Sequence, residues 1–192
     1  MNIAIDSETE AIILGLHGTL VHTEHLLKDA IRTVFRERGV ELSTDEIDPY
    51  IEFSPEAAIR RIIENKNLPW NYAAVVTDRN QLVIQHIPRV HLIPGTHDLI
   101  HTWSRKMPLA VGTNESFGIA GVMTRVLGIK PYIQALVTID EVSAGKPDPE
   151  IFLLCARHLN ISPSRCQVVE GSDVGIEAAR RAGMKAVDVR SL

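Results

Sequence analysis

The stretch "AIILGLHGTLVHTE" (residues 11–24) holds two histidines and a glutamate, and a third histidine, His25, follows at once. Imidazole is an acid, a base, a nucleophile or a metal ligand near neutral pH. His17 therefore stands as a replacement acid/base, as a nucleophile, or as an inert or ligand-binding side chain. His17, His22 and His25 with Glu24 also suggest zinc or nickel. The Hx₄HxEH spacing matches no known ligand pattern, and His22 and His25, three apart at a helix start, leave one facing solvent. The backbone N–H groups of Gly18 and Thr19 suit an anion, although Thr19 can also cap the helix beginning near Thr23. Gly15, just before them, has no side chain. Three further stretches carry polar residues of similar promise: Gly112-Thr113-Asn114, Lys146 in "SAGKPDPEIF", and Glu170 with Asp173 in "VVEGSDVGIEAARRAGM". A carboxylate at 170 is either a metal ligand or an ion-pair partner for Lys146.

These residues need a scaffold, and the hydrophobic pattern supplies one. "AIILGL" (11–16) is a short apolar run of the kind found in buried parallel strands. Helical periodicity then takes over. Leu26, Leu27, Ala30, Ile31, Val34 and Phe35 fall on one face, with Gly39 as a stop. "STDE" (43–46) reads as a capping box opening a short helix. Ser54-Pro55 reads as an N-cap with proline in the first turn, and a fourth helix is expected over about 71–86. After Pro94-Gly95, helices at 95–105, 116–127, 148–159 and 173–182 alternate with strands at 107–113, 135–139, 166–171 and 185–189. Such alternation means a parallel α/β sheet, whose ligands bind beyond the carboxyl ends of the strands. The four stretches above are those ends. The expected fold is a three-layer, Rossmann-like α/β core (1–21 and 91–192) with an inserted four-helix cap (22–90).

Composition narrows the function classes. The chain has 192 residues, 45% hydrophobic and 23% charged, with a formal charge of −4. That is an ordinary globular balance, with nothing pointing to nucleic acid or a membrane surface. No apolar run approaches a membrane span, and the acidic start lacks the form of a signal peptide. Cys155 and Cys166 are expected to be buried, reduced thiols of a cytoplasmic protein.

The four loops, in order and with a helical insert after the first, resemble those of the haloacid dehalogenase-like phosphohydrolases. The similarity is greatest to the phosphoglycolate phosphatase and β-phosphoglucomutase subgroup and covers residues 11–189. In that family the first loop reads Asp-x-Asp-Gly-Thr. The first aspartate attacks phosphorus, and the second is the general acid and base. A second-loop hydroxyl and the lysine hold the phosphoryl group, and fourth-loop acids with the first aspartate hold Mg²⁺. The resemblance thus implies phosphate-binding roles for Gly18, Thr19, Thr113, Asn114 and Lys146. It implies a metal role for Glu170, with Asp173 as a weaker candidate. At the nucleophile position stands Gly15, at the acid/base position His17, and at the second acidic position of the fourth loop Gly171. Glu52 stands where the subgroup's cap loop commonly has glycine.

The expectation is a degenerate phosphatase, more a binder than an enzyme. It keeps an anion cradle for a small phosphorylated metabolite or inorganic anion, or meets a protein partner. No cofactor is expected, because the family's Mg²⁺ ligands are largely missing. The alternative is an active phosphomonoester hydrolase using His17 or water. With the first-loop carboxylates gone, the donors should remain free, and restoring Gly15→Asp, His17→Asp and Gly171→Asp should recover Mg²⁺ dependence.

Overall fold

The computed structural model describes residues 3–192. Five strands, β1 (Ala11–Leu14), β2 (Leu109–Gly112), β3 (Ala135–Val137), β4 (Cys166–Glu170) and β5 (Lys185–Asp188), form one parallel sheet in the order β3-β2-β1-β4-β5. β1 lies in the middle, with Ile13 opposite Ala110 on one side and Val168 on the other. The strand order reverses at β1, so a crevice opens beyond the ends of β1 and β4.

Period-2 alternation splits the sheet's side chains between two cores. Ile12, Leu14 and Val111 pack with Leu99 and Ile100 of α4 (Thr96–Trp103) and Ile119 and Met123 of α5 (Phe117–Val126). Ala11, Ile13 and Val168 pack with Ile151, Phe152 and Cys155 of α6 (Glu150–Leu159) and Ala178 and Ala179 of α7 (Asp173–Arg181). The result is three layers, as expected. A third cluster joins Ile31, Val34 and Phe35 of α1 (Glu24–Arg36), Ile59 and Ile62 of α2 (Pro55–Asn65) and Val75 of α3 (Tyr72–His86).

The expected boundaries shift in two informative places. β1 stops at Leu14 instead of 16, because the Leu16 carbonyl turns to accept the N–H groups of Thr19, Leu20 and Val21 (3.4, 2.9 and 3.2 Å). The second of the four expected cap helices is only a 3₁₀ turn, Asp48–Tyr50. The Glu46 carboxylate does reach back to the Ser43 N–H (2.9 Å). However, Pro49 has no N–H to donate to the Asp45 carbonyl, so an α-helix begun at the capping box does not propagate. Cys155 and Cys166 are both buried and unpaired. Among the described residues no helix is long and apolar enough to cross a membrane.

Phe152 is fully buried under the sheet, and the Lys146 ammonium lies 4.5 Å from its ring centroid. Phe152→Ala should therefore cost about 3–5 kcal/mol, the usual range for a buried aromatic. Denaturant unfolding monitored by circular dichroism measures this.

Candidate functional site

The ends of β1, β2 and β4 meet at one buried ion pair. Lys146 and Glu170 are 5% and 2% exposed, with Nζ 2.5 Å from Oε1. The ammonium also donates to the Gly112 carbonyl (2.8 Å). Asn114 positions this lysine from the next loop. Its Oδ1 accepts from the Lys146 N–H (2.7 Å), and its Nδ2 donates to the Lys146 carbonyl (3.2 Å) and to the Glu52 carbonyl (3.0 Å). Asn114 is thus a clamp on backbone, with its amide already in use.

Glu170 is saturated as well. Oε2 accepts from the N–H groups of Gly171 (2.7 Å) and Ser172 (3.0 Å), the Ser172 hydroxyl (3.0 Å) and, at 3.4 Å, the Thr19 hydroxyl. Of its two expected roles, the structure shows the ion pair with Lys146. The same carboxylate fills the hollow at Gly15: a Cβ there would lie 2.7 Å from Glu170 Oε1 and 2.6 Å from Thr19 Oγ1. Gly175 makes room from the other side, since its Cβ would meet Glu170 Cδ at 2.2 Å.

The other expected site residues divide. Gly18 lines the cleft, but its N–H is spent on the Val21 carbonyl (2.9 Å), and the Thr19 N–H turns to Leu16 (3.4 Å). The expectation that these two N–H groups face an anion is therefore corrected: the tight turn consumes them. Thr113 Oγ1 accepts from the Glu115 N–H (3.1 Å), which leaves its own hydrogen to donate. Asp173 is displaced from the site altogether. It is exposed and paired with Arg190 (2.7 Å) on the surface. His22 and His25 are exposed, and His25 pairs with Asp29 (3.0 Å).

Among the described residues, no three His, Cys, Asp or Glu side chains cluster as a metal site. Mg²⁺, which the resemblance implies, does not fit the residues present. It is usually held through one or two carboxylates, and here Glu170 is committed to Lys146 and four further donors.

A second buried pair was not foreseen. Arg79 of α3 and Glu115, just past Asn114, are 3% and 2% exposed, with Nη1 2.9 Å from Oε2. Burial raises the Glu115 carboxyl; the Arg79 charge and the nearby His17 overcome this and hold it at about 2. His17 Nε2 lies 3.6 Å from Glu115 Oε2, and its Nδ1 lies 2.5 Å from the Thr23 hydroxyl. Arg79 had a signal in the sequence. It occupies the i, i+4, i+8 stripe Val75-Arg79-Val83, the buried face of α3.

A cleft of about 280 Å³ lies between these loops and the helices α1 to α3. Lys28, Arg79 and Lys146 line it, but so do Glu24, Asp48, Glu52, Glu115 and Glu170. Three cations face five carboxylates. Any anion must therefore be held by directed hydrogen bonds rather than by net field.

A family profile described as haloacid dehalogenase-like hydrolase matches residues 12–189. Fructose-1-phosphate phosphatase of Escherichia coli is 34% identical over 183 residues, covering 94% of this chain and 96% of the relative. A phosphorylated carbohydrates phosphatase of Thermotoga maritima is 30% identical, covering 93% and 83%. The crystal structure of CbbY from Rhodobacter sphaeroides in complex with phosphate superposes with a TM-score of 0.85 at 25% identity, covering 93% of this chain and 84% of that one.

Glu115→Gln should leave Arg79 buried and uncompensated, at a cost of about 3–5 kcal/mol. The sign with pH follows from the lowered carboxyl: the wild-type contribution is present above the unfolded value of about 4.3 and is lost as pH falls toward about 2. Unfolding curves of both proteins between these limits should converge at low pH. The restoring triple substitution meets a different obstacle. A Cβ at Gly171 would stand 2.0 Å from the Gly18 carbonyl oxygen. The triple variant should be less stable than wild type by roughly 1–3 kcal/mol, the range for overpacking, and calorimetry should detect no Mg²⁺ site.

Proposed function

The chain belongs to the haloacid dehalogenase-like hydrolase family, and from that premise we propose that it binds a small phosphorylated metabolite without efficient turnover. The observation that carries this reading is the occupied hollow at Gly15. Where a covalent nucleophile would project, the Glu170 carboxylate sits instead, held by Lys146. A carboxylate nucleophile and a metal together supply many orders of magnitude in phosphoryl transfer, and one imidazole does not replace both. The relatives act on fructose 1-phosphate and on phosphorylated carbohydrates, and CbbY holds phosphate. These support a ligand of the same class here.

Donor counting supports retained binding. An ammonium has three hydrogens; Lys146 uses two, on Gly112 and Glu170, and keeps one. The Thr113 hydroxyl supplies another. Residues 22–90 act as a cap over the cleft, tied down by Asn114 and by Arg79. Two buried, unpaired thiols support a cytoplasmic setting.

One observation favours a residual hydrolase as the second reading. His17 Nε2 sits near the Glu115 carboxylate with its Nδ1 against Thr23, the arrangement of an oriented general base able to activate water.

Assays on p-nitrophenyl phosphate, phosphoglycolate and fructose 1-phosphate, with and without Mg²⁺, separate the two. The proposal expects rates no higher than those of His17→Ala; robust turnover lost in that variant would favour the hydrolase. Phosphate titration by calorimetry in EDTA tests binding itself. Glu170→Gln should tighten it by removing the competing charge. Lys146→Ala in the Glu170→Gln background, which leaves no buried charge unpaired, should weaken it by roughly 1.5–3 kcal/mol. Absence of binding in all three proteins would point instead to a protein partner.

A further inference from the structure

Two side-chain nitrogens beside the cleft are buried without a hydrogen-bond partner among the described residues: Arg79 Nε and His17 Nε2. Buried donors are rarely left unmade. Both belong to residues that line the cleft. The two side chains also meet at one carboxylate: Arg79 Nη1, a neighbour of Nε on the guanidinium, lies 2.9 Å, and His17 Nε2 3.6 Å, from Glu115 Oε2. Arg79 comes from α3 and His17 from the loop after β1, so the pair spans the cleft's two walls. Arg79 is 3% exposed, and Glu115 fixes its guanidinium with Nε unused.

We propose that Arg79 and His17 form a second recognition point that reads a hydroxyl group on the phosphorylated ligand. This rests on the phosphate-binding reading above, with the phosphate at Lys146 and Thr113. A hydroxyl is the group that suits both nitrogens. Arg79 Nε–H can only donate, and a hydroxyl oxygen accepts from it. Nδ1 of His17 either accepts from Thr23 or donates to it, which leaves Nε2 a donor or an acceptor; a hydroxyl answers either form. A carboxylate does not. Glu115 already balances Arg79, and a further negative charge would enter a cleft lined by five carboxylates. The two points are close along the chain, since Glu115 donates its N–H to Thr113 Oγ1. At about 280 Å³ the cleft admits a small ligand.

The test uses calorimetry in EDTA with four probes: inorganic phosphate, glycerol 3-phosphate, n-propyl phosphate and 2-phosphoglycolate. The wild type should bind glycerol 3-phosphate roughly tenfold more tightly than propyl phosphate, the scale of one or two hydrogen bonds. Phosphoglycolate should gain nothing over propyl phosphate. Arg79→Lys keeps a cation beside Glu115 but loses Nε–H. Arg79→Met with Glu115→Gln removes both charges together, in case the lysine variant does not fold. In either variant the ratio of glycerol 3-phosphate to propyl phosphate affinity should fall to about one. An equal response of the wild type to the two esters, persistence of the preference in the variants, or phosphoglycolate as the tightest probe overturns the proposal while leaving phosphate binding intact. Failure of all four probes to bind overturns the phosphate reading and this proposal with it.

Discussion

The mouth of this fold is organised around one carboxylate. Glu170 receives Lys146, the amides that open α7, the Ser172 hydroxyl and Thr19. Three loops, those after β1, β3 and β4, are thereby fixed to a single group. A buried ion pair of this kind is weak evidence for stability, because desolvation offsets much of the attraction. Its effect is geometric. Once Glu170 is satisfied on both oxygens, neither Lys146 nor the Gly15 loop can move independently.

The Arg79–Glu115 pair does the same work across the cleft. It ties a helix of the inserted segment to the loop after β2, while Asn114 reaches the Glu52 carbonyl from the same loop. Each pair balances itself, and the lining beyond them sets Glu24, Asp48 and Glu52 against Lys28, so carboxylates outnumber cations. Selectivity in such a cleft comes from which donors are unsatisfied and where they lie, not from attraction to charge in general.

The layers of the fold were legible in the sequence because they follow from period: short apolar runs, amphipathic helices, and glycines or prolines at the joints. The Lys146–Glu170 pairing was also within reach, as one of two roles for Glu170. What failed was anything set by competition for hydrogen bonds. Gly18 and Thr19 promise two N–H groups, yet the turn that carries them uses both. Asp173 follows the fourth loop closely in sequence but faces Arg190, because a helix start turns it outward. "STDE" carries a valid cap signal, overruled by Pro49 six residues on from its first. Arg79 hid in plain view on an apolar stripe, where a charge signals a buried partner that only the fold can identify.

The close approach of Gly18 and Gly171 couples two loops that are far apart in the chain. Backbone meets backbone there, with no room for even a methyl group at 171. A side chain added at 171 must push Gly18 aside, and Gly18 belongs to the same tight turn as the Leu16 carbonyl and His17. The two loops therefore behave as one mechanical part: what is done to the end of β4 is felt at the end of β1.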